Sequence, residues 1–320
     1  MKALVTGSSG HLGEALGLRL ASDGHELVGL DLLPGAATTH VGSIADAALL
    51  ERTIRGVDLV FHAATLHKPH VATHDEQAFI DVNVTGTLNL LKAAARARVG
   101  AFVFTSTTSV FGDALTPGKG APAAWIDEKV VPKPKNIYGV TKAAAEDLCA
   151  LFARNHQLPV IVLRMSRFFP EADDDARRAA AYPDANLKLN DLLYRRVAIE
   201  DALEAHLLAA ANAPTLGFAR YVISATTPFG REDLADLARD TPSVLRRKIP
   251  ATEAIYARLG WRLPPTLERV YVNERARVDL GWHPRDDFAS VLARVNDGAS
   301  VLGPMAAKIG AKGYHRTAPP

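Results

Sequence analysis

Over the first two-thirds of the chain, short and almost continuously apolar runs alternate with longer stretches whose apolar residues recur at helical spacing. Lys2–Thr6, Glu26–Asp31, Leu59–Ala63, Ala101–Thr105 and Val160–Arg164 predict strands. A strand without polar alternation is buried on both faces, as in a parallel sheet covered by helices on either side. Leu12–Ser22, Ala47–Arg55, Asn83–Arg98 and Tyr138–His156 predict the covering helices. Strand–helix alternation of this kind predicts an α/β fold with a doubly wound parallel sheet, and right-handed crossovers would gather the strand C-termini along one edge, where ligands bind.

Beyond Arg164 the pattern loosens. An acidic run, Asp173–Asp175, precedes two arginines with no clean period; Val197–Ala211 again predicts a helix and Arg220–Ser224 a short strand. We therefore expect a nucleotide-binding domain over 1–165, with 197–226 returning to it. A smaller C-terminal lobe for the substrate is expected from 166–196 and 227–302, and a tail without its own core over 303–320.

Composition changes this picture little but excludes several classes. The chain has 320 residues, 48% hydrophobic and 22% charged, enough to bury a large core, and its net charge of +2 is near balance. Basic residues are scattered, which argues against a nucleic-acid partner. The single cysteine, Cys149, allows no internal disulfide and fits a reducing, cytoplasmic setting. No apolar stretch approaches the length of a membrane span or a signal segment. No His/Cys/Asp cluster has metal-ligand spacing; the tetrapeptide His67-Lys68-Pro69-His70 is a loop, so no metal is expected.

The first strand runs into Thr6-Gly7-Ser8-Ser9-Gly10-His11-Leu12-Gly13 and then a helix. Glycines there allow a tight turn and let a pyrophosphate approach the helix N-terminus, where free N–H groups and the helix dipole favour negative charge. Asp31 ends the second strand, roughly twenty residues on, where a carboxylate accepts hydrogen bonds from ribose hydroxyls. It would repel a 2′-phosphate, and no Arg or Lys directly follows it, which favours NAD over NADP. Together these mark a Rossmann fold.

The spacing TGxxGxxG resembles the extended short-chain dehydrogenase/reductases, the NAD-dependent epimerase/dehydratase family. Further motifs continue the resemblance in order: Val57–Ala64, Asn83-Val84-Thr85-Gly86-Thr87, Thr105–Gly112, Tyr138-Gly139-Val140-Thr141-Lys142, Arg195–Asp201 and Asp279–Pro284. It spans about residues 1–295. By this resemblance Ala63 and Ala64 pass beneath the cofactor, Asn83 opens a cofactor-side helix, and Ser43 with Ile44 lies near the adenine, Ser43 standing where the family has an Asp. Thr107 takes the place of the active-site Ser/Thr, although Ser106 and Thr108 flank it closely enough for the register to slip by one.

Tyr138 and Lys142, four residues apart on a predicted helix, project from one face. A phenol is a weak base at its reference pKa, so a neighbouring ammonium together with the positive nicotinamide ring is expected to bring it toward neutrality. Tyr138 would then take a hydroxyl proton, Thr107 would hold the reacting oxygen, and by resemblance Lys142 would also hold the nicotinamide ribose. Family members that dehydrate sugar nucleotides carry an acid after the active-site Thr. Here Thr108 and Ser109 stand in those positions, which argues against a dehydratase. Arg167 replaces an Asn that contacts nucleotide phosphate in UDP-sugar epimerases. It would either meet a substrate phosphate or carboxylate or pair with the acidic run. Lys68 would either meet an anionic substrate or remain a solvated loop charge.

Three functions are compatible with these residues. The first is an NAD-dependent epimerase of a sugar or sugar nucleotide working through a transient ketone. The second is an NAD-dependent dehydrogenase or ketone reductase on a small polyol, uronate or hydroxy acid, and the third a non-catalytic NAD sensor. Segments 83–98 and 138–156 are apolar around much of their circumference, and in the resembled family such helices pair across a two-fold axis, which predicts a homodimer.

Overall fold

The run Lys2–Thr6 forms the strand β1, and its unbroken apolar character has a direct cause: alternate side chains enter two different cores. Ala3 and Val5 pack in one cluster with Leu12, Leu16 and Leu20; Leu4 packs on the opposite face with Val60, Leu90 and Phe102. A fully buried Leu or Val contributes about 1.5–3 kcal/mol, so a polar residue at any of these positions would be costly. In the computed structural model, which describes residues 1–313, β1 lies between β2 and β4 inside a seven-stranded sheet. The other strands, in chain order, are β2 (Glu26–Asp31), β3 (His40–Val41), β4 (Leu59–His62), β5 (Ala101–Thr107), β6 (Ala124–Ile126), β7 (Val160–Met165), β8 (Phe218–Ile223) and β9 (Arg269–Tyr271). The large sheet has the order β3-β2-β1-β4-β5-β7-β8 with every pairing parallel. This is the doubly wound Rossmann-like α/β fold expected from the pattern.

Helix α1 (His11–Ser22) and the helix Ile199–Leu216 supply the core on one face. The helices Thr87–Ala97 and Ile137–His156 supply the core on the other, where Cys149 is a buried free thiol. A third core, containing Leu189, Tyr194, Phe229, Val270 and Phe288, joins residues 183–193 to the segments after 226; a short parallel pair, β6–β9, lies beside it. The indole of Trp282, fully buried, donates to the Asp201 carbonyl at 3.0 Å and ties the Gly281-Trp282 turn to the main body.

Some elements differ from the expectation. β5 runs two residues further, to Thr107. The segment expected as one helix over 83–98 begins as a wide π-helical turn, Ile80–Gly86, before regular helix over Thr87–Ala97. The patternless stretch after the acidic run contains the helices Ala176–Ala181 and Asp184–Leu192. Within the expected tail, Pro304–Ile309 is a helix whose Ala306 and Ile309 enter the first core, because docking on α1 and Ile199–Leu216 buries two side chains that a short segment cannot bury alone. Residues 314–320 of that tail lie outside the described residues. Among the described residues no helix is long and apolar enough to cross a membrane, and no group of His, Cys, Asp and Glu could hold a metal ion.

Candidate active site

A cleft of about 790 Å³ opens along the C-terminal edge of the sheet. One half is lined by the glycine loop, with Gly7, Gly10, His11, Leu12 and Gly13, and by Asp31, Ser43, Ile44, Ala63 and Ala64. The loop closes on itself so tightly that a Cβ on Gly13 would lie 1.9 Å from the Gly7 carbonyl oxygen. Gly10, the N-cap of α1, offers no side-chain cap, so first-turn N–H groups of a twelve-residue helix remain as donors in the cleft. The Asp31 carboxylate is fixed beside them by the Ser9 and Leu33 N–H groups, at 2.9 and 3.0 Å. Each of its oxygens keeps acceptor capacity. Uncapped donors and a held carboxylate in one cleft are what the pyrophosphate and ribose of a dinucleotide require.

Thr107 and Tyr138 lie in the middle of the cleft. The Asn136 side chain caps the helix Ile137–His156 by accepting from the Gly139 N–H at 3.0 Å. Gly139 lets that helix start come close to the turn that follows β5, since a Cβ there would lie 2.8 Å from the Ser109 carbonyl. The approach brings the Tyr138 phenol beside the Thr107 hydroxyl, which opposes the upward pull of burial on the phenol. Of the three adjacent hydroxyls, Thr107 is the one beside Tyr138, and its oxygen accepts from the Ser109 N–H. Ser106 instead donates to Glu146 at 2.6 Å, and Thr108 lines the cleft wall.

Lys142 departs from the expected arrangement. It lies below the cleft lining, fully buried, donates to the Thr105 carbonyl at 2.7 Å and sits 4.0 Å from the centroid of the Phe104 ring. Burial pulls this ammonium down to about 7, with Cys149 and Glu146 opposing. Burial likewise pushes the Tyr138 phenol up to about 12, opposed by the Thr107 hydroxyl. Among this chain's own groups, desolvation therefore outweighs the neighbouring polar side chains.

Asn83, expected as a cofactor contact, does not line the cleft. Its carbonyl oxygen accepts from the Leu66 N–H and the Thr65 hydroxyl, and its amide donates to the Leu66 carbonyl and Thr141 hydroxyl. With all four positions used, it braces the loop 65–66, which does line the cleft, against the helix Ile137–His156. His62 acts in a similar way beneath it, bonded to Thr6 and Thr87 at 2.7 and 2.9 Å and held down at about 3 by burial and by the Lys142 charge. Neither role has a signal in the linear sequence, since the partners are 17 to 58 residues away.

The second half of the cleft is a network of ion pairs. Arg167 donates to Asp174 at 2.8 Å and to the Ala172 carbonyl at 2.8 Å, which is the pairing with the acidic run considered from sequence. Asp173 pairs with both Arg178 and Arg195, and the buried Asp191 also binds both. Arg269 and Tyr271, from β9, complete this wall. Lys68 is exposed at the rim. At the opposite end His11 approaches Glu171 to 2.6 Å, and the backbone of Lys312 caps the same carboxylate at 2.8 Å.

Residues 3–223 match the NAD dependent epimerase/dehydratase family. The chain belongs to that family. That family is one of NAD-dependent enzymes, which argues against the non-catalytic reading. A Bacillus subtilis (strain 168) protein described as an uncharacterized UDP-glucose epimerase, YtcB, is 30% identical over 185 residues, 51% of this chain and 55% of that protein. The chain thus matches about half the length of that relative. The UDP-glucose 4-epimerase of Streptomyces lividans is 27% identical over 329 residues, covering 91% of this chain and 94% of that one. A solved short-chain dehydrogenase/reductase superfamily protein from Agrobacterium tumefaciens, crystallised with NAD, superposes with a TM-score of 0.66 at 24% identity, over 93% of this chain and 96% of that one. The fold is common to both.

Proposed function

We propose that this enzyme is an epimerase of a sugar or sugar nucleotide, in which a secondary alcohol is oxidised to a transient ketone and reduced again from the other face. The reading rests on one observation above the rest: Thr107 and Tyr138 lie side by side in a cleft whose other end is the uncapped glycine loop. The near full-length likeness to a UDP-glucose 4-epimerase supports it. NAD, when bound, accepts the hydride and returns it.

The first turn of α1 would hold the pyrophosphate, Asp31 the adenosine ribose, Ser43 and Ile44 the adenine, and Ala63 and Ala64 would leave room beneath. Thr107 orients the substrate hydroxyl, and Tyr138 takes its proton as the ketone forms and returns it on reduction. A phenol held near 12 is a poor base, so Tyr138 needs positive charge close by during the proton transfer. Lys142, one helical turn on, is a source of that charge within this chain.

A second reading, a dehydrogenase on a small uronate or hydroxy acid, is favoured by the Asp partners that already occupy Arg167, Arg178 and Arg195. Purifying the protein without added nucleotide, denaturing it and identifying what is released separates the two. Near-stoichiometric NAD or NADH supports the epimerase, because redox-neutral turnover keeps its cofactor. An empty site supports the dehydrogenase, and released NADP would refute the role given to Asp31. Tyr138→Phe should lower turnover about 10³-fold, within the usual range for removal of a general acid–base. Full activity in that variant would end the assignment.

The helix Ile137–His156 leaves Val140 and Leu151 on its surface, 47% and 36% exposed. We infer that this helix pairs with its counterpart, alongside 83–98, in a homodimer. Light scattering at micromolar concentration should give twice the chain mass.

A further inference from the structure

The arginines of the second half of the cleft are not equivalent. Arg167, Arg178 and Arg195 each donate hydrogen bonds to carboxylates of the Asp173–Asp191 segment, so their charge is already answered. The Arg269 side chain makes no hydrogen bond to any described residue, and its one ion pair is a loose one. Its nearest carboxylate, Glu268, is 3.7 Å away and largely in solvent. Its Nε is shut off from water without an acceptor, yet the side chain is 18% exposed and lines the cleft. The Tyr194 and Tyr271 rings, with centroids 5.8 and 5.9 Å from the guanidinium carbon, flank it and limit its movement. A positioned guanidinium without an acceptor, in a wall of otherwise satisfied arginines, is a receptor for an anion brought from outside.

We propose that Arg269 anchors an oxyanion of the substrate, a carboxylate or a phosphate, and so selects acidic sugars over neutral ones. This rests on the reading of the cleft as the site of alcohol oxidation. β9 is well placed to do so, because Tyr271, two residues on, packs with Val110 and Phe111, in the segment that directly follows Thr107. An anion held at Arg269 therefore fixes the substrate relative to Thr107 and Tyr138 through one continuous piece of packed structure. One arginine of this wall without a hydrogen-bonded carboxylate also suits one anionic group better than an extended polyanion.

The test is isothermal titration of the NAD-loaded protein with sodium glucuronate, UDP-glucose and glucose. One of the two acidic probes should bind at least about tenfold more tightly than glucose, and Arg269→Gln should weaken it by about 10- to 100-fold, the range for loss of a charge-assisted pair. NAD affinity should stay unchanged, which also shows that the variant is folded. Arg269→Lys keeps the charge and the stem, and should lose less; it serves if Arg269→Gln does not fold. Loss confined to glucuronate assigns a carboxylate, and loss confined to UDP-glucose assigns a phosphate. The proposal is overturned if neither acidic probe outbinds glucose, or if the preference survives in Arg269→Gln. Tyr138→Phe, titrated in parallel, should keep probe binding while losing turnover. Retained turnover there would sink the catalytic reading without touching the anchor.

Discussion

The two halves of the cleft are held by different kinds of interaction. At the glycine loop the geometry is made by backbone: a carbonyl packed where a Gly13 side chain would be, uncapped N–H groups, and a carboxylate held by two amides. At the arginine wall it is made by side chains from separate stretches of chain, with Asp173 and Asp191 each shared between Arg178 and Arg195. Backbone recognition suits a ligand that never changes, because the main chain offers the same donors whatever the sequence around it. Charged side chains can be exchanged one at a time, which suits the region of the site that distinguishes substrates.

The comparison breaks most sharply at Gly13. Gly13→Ala should weaken NAD binding by roughly 100-fold or more, measured by fluorescence titration, since the new methyl meets backbone that cannot turn aside. Gly10→Ala, where a Cβ would sit 3.2 Å from the Gly7 oxygen, should cost far less. Equal losses would mean that the loop yields more than its geometry implies. In the other half, Asp173→Asn should destabilise the fold by about 2 kcal/mol in thermal unfolding, because two arginines lose a nearly buried partner while Asp191 remains. Its NAD affinity should not move; a change there would show that the halves are coupled.

Asp31→Ala should weaken NAD about tenfold and narrow the preference over NADP. Unchanged discrimination would place the ribose elsewhere. The smallest effect is on stability near neutral pH. Burial holds His62 at about 3 and His206 at about 4, both below the ordinary 6.5 of an unfolded chain. Below 6.5 the unfolded chain therefore binds protons that the folded one refuses, and stability, complete above 6.5, falls as the pH drops toward 4. The loss between pH 7 and 6 should be under about 1 kcal/mol for each histidine. His62→Gln should lower the melting temperature at pH 7 but flatten its fall between pH 6.5 and 4. A slope identical to the parent's would remove His62 from the account.

What the sequence determined by itself is the main sheet and the cofactor half. Runs such as Lys2–Thr6 and Ala101–Thr105 are apolar on both faces because both faces are covered, and Gly7–Gly13 with Asp31 is a local signal at fixed spacing along one strand–helix–strand unit. Tyr138 and Lys142 were legible for the same reason, being one helical turn apart. Where Lys142 points was not, since its partner is the Thr105 carbonyl 37 residues earlier and desolvation decides its charge. Nor was the bracing role of Asn83, whose four hydrogen bonds reach back to 65–66 and on to Thr141. Only the tertiary structure sorted the arginines, pairing Arg167 with the acidic run and leaving Arg269 with no closer carboxylate than the exposed Glu268 at 3.7 Å. Spacing along a chain fixes which residues share a strand or a helix face, whereas charge neutralisation depends on which distant carboxylate arrives within about 3 Å, and that is settled when separate elements pack.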